Sequence, residues 1–320
     1  MSDMIRADPS PVSAPLPPRV PGWALPDGPV SSDADAAFWA GAALTSLDNL
    51  VRSEPPWAGA WRQGRALKCA AAAVRLAGRS EDEAALRDAW YMRPPDTDPG
   101  PAGAVLGAWR QLALRPPVVN AARLAEVVAL LGLRWDDAFA DLPEVIDNLA
   151  RSGRPAPFAA GAIAGYVVAM RSEAETLAWW CADLVLAQKL RWSRPVPMLV
   201  AQAFAPAFHA EGGRGKRIRP GGEGFERAVC VALAQGAADA CRVAGEISRR
   251  AERLMAVAPK LRAKGAGEAI AKLLDNDAVS GSLVTKNLSR FGSRRLFDRL
   301  IEFEAVRELS GRPTFRLYGL

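Results

Sequence analysis

Apolar residues recur at helical spacing along most of this chain, and almost no segment before residue 300 alternates apolar and polar residues with period two. Apolar positions at i, i+3, i+4 and i+7 form the buried stripe of a helix, whereas a half-buried strand needs alternation. Proline pairs and glycines divide these segments into pieces of helix length. Half of the 320 residues are hydrophobic, which is enough to bury a core. The sequence therefore predicts an all-α, multi-helical body.

Composition divides the chain into three regions. Residues 1–32 are rich in proline and poor in large apolar side chains, which predicts a disordered, Pro-rich tail. Ser32, followed by Asp33 and Asp35, then has the composition of a helix start, because acidic residues in the first turn suit the helix dipole. We predict a helical domain over 33–262 and a separate domain over 263–320. After the first helix, the predicted helices run over 57–76, 80–93, 100–114, 119–132, 137–151, 157–170, 173–190, 196–205 and 223–259. The helix from residue 80 is predicted from a capping box that pairs Ser80 with Glu83.

The last region, residues 263–320, changes character. Two amphipathic helices and a third with a buried stripe of Leu296, Phe297, Leu300 and Ile301 are predicted there, with Ser293 as the N-cap of the third. Val284 and Leu288 would form the apolar face of the second. The strand-like segments VREL and TFRLYGL follow, separated by a turn signal at 310–313. A helix-turn-helix followed by a β-hairpin is the winged-helix pattern.

A winged helix that binds DNA needs cations and small polar groups on the outward face of its recognition helix. The candidate DNA-binding residues are Arg290, Ser293, Arg294, Arg295, Arg299, Arg307, Arg312 and Arg316. The last three lie on the hairpin. Arg290 precedes the third helix, and the remaining four lie on it. Acidic residues such as Asp298 and Glu302 dilute this positive field. A winged helix used for protein contact or homodimerisation, with its arginines as an ordinary solvated face, stays the alternative. A net charge of +6 suits an anionic partner such as double-stranded DNA without identifying it.

Residues 211–222, EGGRGKRIRPGG, form a basic loop with candidate residues Arg214, Lys216, Arg217 and Arg219. The loop does not match a phosphate-binding P-loop, because Arg217 follows Gly215-Lys216 where Ser or Thr is needed. We interpret it as a connector between helices, with contact to a nucleic-acid backbone as the alternative. Trp192, between Arg191 and Arg194, is the one tryptophan flanked by cations as in a base-stacking platform.

Catalytic and metal-binding patterns are sparse. The chain has a single histidine, His209, and no CxxC pair, so no metal site and no cofactor are predicted. The four cysteines are scattered, which is typical of reduced core thiols in a cytoplasmic protein. The uncharged run at 155–170 is shorter than a membrane span needs, and a buried helix is the better interpretation. We therefore predict a non-enzymatic protein without a membrane partner.

Three segments resemble a known family: residues 40–103, beginning AGAALTSLDNLVRSEPPW, then LAWWCADLVLAQKLRWSRPVPML, then RRLFDRLIEFEAVRELSGRPTFRLYGL. They are similar to an uncharacterised bacterial family, domain of unknown function 1403, which implies no known activity. The order of helices, basic loop, long helix and terminal RELSGRPTFRLY also resembles Fic-type nucleotidyl transferases with a C-terminal winged helix. Their active loop reads H-P-F-x-x-G-N-G-R, but residues 166–176 here read YVVAMRSEAET. The resemblance therefore implies a catalytically inactive relative that acts as a protein-interaction module.

Overall fold

The computed structural model of the chain describes residues 16–93, 97–209, 215–312 and 314–320. Its helices are α1 (Asp33–Ser53), α2 (Ala58–Leu76), α3 (Glu83–Tyr91), α4 (Gly100–Leu114), α5 (Ala121–Leu130), α6 (Leu142–Arg151), α7 (Ala156–Met170), α8 (Glu175–Lys189), α9 (Phe225–Val257), α10 (Ala266–Asp275) and α11 (Arg290–Glu302). Its strands are β1 (Val279–Ser280), β2 (Arg307–Glu308) and β3 (Leu317–Gly319). The prediction of a mostly helical chain is confirmed. Strands β2 and β3 lie within the predicted strand-like segments VREL and TFRLYGL, and β1 was not predicted.

Helix α8 lies at the centre of the body, and its residues are buried on every side. It packs along α7, while α1 packs along α9 and α2 along α4. The indole Nε1 of Trp180 donates to Ala108 O on α4 at 3.0 Å. The neighbouring ring of Trp179 packs edge-on against Phe208 at 5.3 Å. Two adjacent tryptophans therefore fix α8 against two different parts of the core.

Side-chain caps explain where several helices begin. The Ser32 hydroxyl accepts from Asp35 N, which confirms the predicted start of α1. The predicted capping box at Ser80 is wrong, because α3 begins at Glu83 and the Asp82 carboxylate accepts from Ala85 N at 2.8 Å. A carboxylate two residues further along provides the cap and moves the start of the helix with it.

The predicted helix over 196–205 is also wrong, because the structure has only a 3₁₀ turn there, Val200–Gln202. Pro195 and Pro197 lack the N–H groups that a helix would use. The N–H groups of Met198 and Leu199 are bound instead by the buried carboxylate of Asp183 on α8, at 3.0 and 3.2 Å. A long-range acceptor has taken the place of local helical hydrogen bonds.

Part of the predicted N-terminal tail, residues 1–15, lies outside the described residues. Residues 16–32 run over the helical body and include a 3₁₀ turn, Gly22–Ala24, whose Ala24 is fully buried. The carbonyl of Arg19 accepts from the Ser46 hydroxyl on α1 at 3.3 Å. This stretch therefore packs against the domain that follows it.

Residues 263–320, named the C-terminal unit below, combine α10, α11 and an antiparallel sheet with strand order β1-β3-β2. Val279 pairs with Tyr318, and Arg307 pairs with Gly319. No helix forms between β1 and α11 in this described segment, so the predicted second helix is wrong. Its place is taken by tight turns: Leu283 N donates to Ser280 O at 3.0 Å, and Thr285 pairs with Leu288. Leu288 is buried as predicted, but Val284 is 62% exposed.

A buried ionic cluster joins the C-terminal unit to the body. The carboxylate of Asp277, just before β1, pairs with Arg110 of α4 and accepts from the hydroxyl of Tyr91 at 2.8 Å. Arg87 of α3 lies 3.6 Å from the other carboxylate oxygen. Burial of Tyr91 is the largest cause that raises the pKa of its phenol, and the Asp277 charge adds to it. The C-terminal unit is thus fixed to α3 and α4 by charges that water does not screen.

Two helices bear on the membrane prediction. The uncharged run at 155–170 forms α7, as predicted. Within Phe225–Lys260, an 18-residue window has a mean hydropathy of 1.2, which is apolar enough to cross a bilayer, but 67% of that window is buried inside the protein. A buried core helix meets the same criterion, so the hydropathy of α9 does not distinguish a membrane span from a core helix.

Candidate nucleic-acid interface

Helix α11 begins with a serine cap, one turn earlier than predicted. The Ser289 hydroxyl accepts from Gly292 N at 3.2 Å, whereas Ser293, the predicted cap, is fully buried within the helix. Arg290 is therefore the first residue of α11 and not a residue before it. Because Ser293 is buried, its side chain cannot contact a nucleic acid in this structure. The apolar stripe of Leu296, Phe297 and Leu300 is buried as predicted, whereas Ile301 is 38% exposed.

Four arginines occupy the exposed surface of α11 in two rows. Arg290 and Arg294 form one row and Arg295 and Arg299 the other, because residues four apart share a helix face. All four side chains are exposed. Within the described residues, Arg299 has a weak ion pair with Glu302 at 3.5 Å, and the other three have none. The structure therefore brings the predicted helix arginines onto one continuous surface.

The strip between the two arginine rows changes from apolar to acidic along the helix. Phe291, near the N-terminus, is 73% exposed. Asp298 and Glu302 follow on the same strip towards the C-terminus and are also exposed. The N-terminal half of α11 is thus purely basic and apolar, and the C-terminal half carries both signs of charge.

A basic groove runs beside α11, between that helix and the connection from α9 to α10. Arg295 and Arg299 form one wall of this groove, and Lys260 and Arg262 form the other. The groove measures about 700 Å³, and none of the residues that line it is acidic. Four cations with no carboxylate among them create a positive potential that attracts polyanions. Lys260 and Arg262 were not among the predicted residues, although the segment PKLRAK at 259–264 is visibly basic.

The hairpin arginines are arranged differently from the prediction that they face phosphates. Arg312 turns to the body, where its guanidinium lies 2.5 Å from the Asp88 carboxylate of α3. Arg316 lies between Asp298 and Glu308, at 3.9 and 3.8 Å. Arg307 is exposed, and desolvation of its guanidinium, followed by the charge of Arg250, lowers its pKa. Two of the three hairpin arginines therefore bind carboxylates, and the third has charges of both signs around it.

The basic loop is anchored to α8. Arg217 forms a bidentate pair with the Glu175 carboxylate, at 2.6 and 2.9 Å, and Arg219 Nε donates to the same carboxylate at 3.0 Å. Burial opposes ionisation of Glu175, but the hydrogen bonds and charge of Arg217 hold its pKa below the usual value. Lys216 is exposed, and Arg214 lies outside the described residues. These contacts favour the interpretation of this segment as a connector.

The remaining candidates support neither stacking nor metal chemistry. Trp192 is buried, and its indole donates to Asp48 Oδ1 at 2.8 Å, so its ring is not available as a stacking platform. The ring Nδ1 of His209 lies 3.1 Å from Ala205 O. Across the described ranges, no group of three or more His, Cys, Asp or Glu side chains is placed to hold a metal ion.

The fold is that of a helical body with a small C-terminal α/β unit, and the site is a surface of exposed arginines on that unit. A family model described as "Protein of unknown function (DUF1403)" matches residues 11–320. The chain belongs to this family. The search of curated proteins finds no match. The expected relationship to Fic-type proteins is therefore not supported by the comparisons.

Proposed function

We propose that this protein binds double-stranded DNA through its C-terminal unit, without catalysing a reaction. The order α10-β1-α11-β2-β3 and the sheet order β1-β3-β2 support a winged-helix arrangement in which tight turns replace the second helix. In that arrangement α11 is the recognition helix. The arginines on its exposed surface are the groups that would meet the major groove.

The observation that carries this proposal is the basic groove. Lys260, Arg262, Arg295 and Arg299 line it without an acidic neighbour among its lining residues. Each phosphate that such a cation neutralises releases counterions, which supplies sequence-independent affinity. A DNA strand in this groove would run directly alongside α11. The basic groove would then supply the phosphate contacts, and the exposed surface of α11 would supply the base contacts.

The charge gradient along α11 supports one docking direction. Asp298 and Glu302 would be repelled by phosphates, whereas Arg290, Arg294 and Arg295 at the other end would be attracted. The N-terminal half of α11 therefore enters the major groove of the DNA, and the acidic strip of Asp298 and Glu302 points away from it. Recognition helices of helix-turn-helix proteins commonly use their N-terminal residues in this way.

Fluorescence anisotropy of the full chain with a labelled random-sequence duplex tests the proposal. We expect saturable binding at low ionic strength that weakens as salt is added. The double variants R295A/R299A and K260A/R262A each remove two phosphate contacts. Each should lower the slope of log affinity against log salt by about two.

The matched control is R151A/R154A, which removes the same charge at the connection between α6 and α7. It should leave both the affinity and the salt slope close to those of the unaltered protein. Absence of binding at low salt would contradict the proposal. So would an equal loss of affinity in the groove variants and in the control.

A contact with a second copy of the chain is a further function that we propose, on a separate observation. Trp23 and Phe38 are 66% and 60% exposed, and their rings lie 6.0 Å apart at the surface of α1. Exposed aromatic pairs of this kind are enriched at interfaces. Sedimentation velocity should show a concentration-dependent dimer that W23S/F38S reduces and V118S, at another exposed apolar residue, does not.

A further inference from the structure

A cavity of about 480 Å³ lies between α11 and the β2–β3 hairpin, and we name it the hairpin cavity. Its volume is within the range of small-molecule sites in proteins. The lining side chains include two aromatic rings, three guanidinium groups, two hydroxyls and a carboxylate, namely Phe315, Tyr318, Arg290, Arg294, Arg316, Ser282, Thr314 and Asp298. The basic groove, on the other side of α11, shares none of these residues.

Phe315 is the most unusual residue of this cavity. Its ring is 69% exposed, so core packing does not account for a phenylalanine at this position. Its backbone φ is +58°, in the left-handed region that disfavours non-glycine residues. The neighbouring hydrogen bonds hold it there: Gly281 N donates to Arg316 O, and Leu317 N donates to the Ser310 hydroxyl. Backbone strain of this kind concentrates at binding sites, where the surrounding structure over-determines the conformation.

The charges around the hairpin cavity favour an anion. Arg290 and Arg294 have no ion-pair partner among the described residues, so both guanidinium groups are available to a ligand. Asp298 is the acidic residue of the described lining, and its oxygen lies 3.9 Å from Arg316. Because Asp298 is paired with Arg316, the positive charges of Arg290 and Arg294 remain unpaired. The ligand that fits has a planar ring for Phe315 and a negative group for Arg290 and Arg294.

We propose that the hairpin cavity binds one unpaired nucleotide, with the base stacked on Phe315 and the phosphate held by Arg290 and Arg294. Aromatic rings beside cations are the general means by which proteins bind unpaired nucleotides. The Ser282 hydroxyl would contact an edge of the base. The nucleotide has two possible sources, a free nucleoside monophosphate or the terminal nucleotide of a DNA strand. Only the second source rests on the proposed DNA-binding function.

Three probes distinguish the sources with the full chain. Calorimetric titration with each of the four deoxynucleoside monophosphates measures the free nucleotide. Anisotropy then compares a blunt duplex with the same duplex carrying a single-nucleotide overhang. Binding of a monophosphate supports the free source, and tighter binding of the overhang supports the strand-end source. Monophosphate binding without duplex binding would contradict the DNA function but support this site.

The variant F315A removes the stacking ring and should weaken whichever probe binds about tenfold, while blunt-duplex affinity stays unchanged. V118A is the matched control, because Val118 is comparably exposed and does not line the hairpin cavity. Thermal melting of F315A checks that the exposed ring is not needed for folding. The inference is overturned if no monophosphate binds and the overhang gives no advantage, or if F315A binds its probe as the unaltered protein does.

Discussion

Arg110 and Asp277 form an ion pair that is almost completely buried between α4 and the first strand of the C-terminal unit. The second carboxylate oxygen of Asp277 has no hydrogen-bond partner, and Arg87 approaches it at 3.6 Å. A buried pair of this kind costs desolvation energy and repays it only while both partners are present. The buried ionic cluster in this attachment therefore depends on one carboxylate, which is shared by Arg110, Arg87 and the hydroxyl of Tyr91.

Removing that carboxylate should destabilise the whole protein. In D277A, Arg110 would remain buried without a counter-charge, and we expect a loss of about 3–5 kcal/mol in the free energy of unfolding. Urea denaturation followed by circular dichroism measures it. The exposed Asp298 offers a control, because D298A should change the value by less than about 0.5 kcal/mol. Equal stability of D277A and the unaltered protein would refute the role given to Asp277.

A glycine pair on α2 tests the same attachment by steric means. A Cβ at Gly59 would lie 2.7 Å from the carbonyl oxygen of Asp275, at the end of α10, whereas a Cβ at Gly64 would meet no atom within 4 Å. We expect G59A to destabilise the protein by about 1–3 kcal/mol, because α10 must move. G64A should instead stabilise it by about 0.5–1 kcal/mol, since alanine is the better helix former. Opposite signs in thermal melts of the two variants check the prediction.

Asp183 should make stability fall as the pH rises. Its complete burial raises the pKa to about 7, from the value near 4 that an unfolded chain has. Between these values the folded protein binds more protons than the unfolded one, so the free energy of unfolding decreases by up to about 1.4 kcal/mol per pH unit. D183N retains an acceptor for Met198 N and removes the titration. Urea denaturation from pH 4 to 8 should show a declining difference between the unaltered protein and D183N, and a constant difference would refute it.

The Glu175–Arg217 pair should have the opposite effect: its contribution to stability should be lost as the pH falls. The Glu175 pKa is below its usual value, so its contribution is present above the unfolded pKa near 4 and is lost as the pH falls through the folded value. R217A leaves a mostly buried carboxylate with Arg219 and the indole N–H of Trp179 as its remaining partners. We expect a loss of about 1–3 kcal/mol at neutral pH, measured by urea denaturation. K216A, at the exposed neighbour, is the control and should change stability little.

The helices could be predicted from the sequence because periodicity and caps are local signals. Ser32 shows this directly, since its hydroxyl caps α1 as predicted. The error over 196–205 arose because a distant residue decides the structure there. Asp183 binds the N–H groups that a helix over 196–205 would have used, and nothing near residue 198 indicates that carboxylate.

The candidate site also has features that local sequence signals predict and features that distant residues decide. The exposed arginines of α11 follow from helical spacing around Leu296, Phe297 and Leu300. The partners of Arg312 and Arg217 do not, because Asp88 and Glu175 are far away in sequence. An arginine in a basic segment is a candidate for nucleic-acid contact only when no buried carboxylate has already bound it. That condition is a property of the three-dimensional packing.

Helix α9 is continuous over 33 residues, which corresponds to about 50 Å. Its first residue, Phe225, packs on Trp179 at 5.5 Å, and near its other end Arg253 lies 3.7 Å from Glu304, just beyond α11. One continuous helix therefore joins the core around Trp179 to the segment just beyond α11, and its length sets the distance between these two parts of the protein.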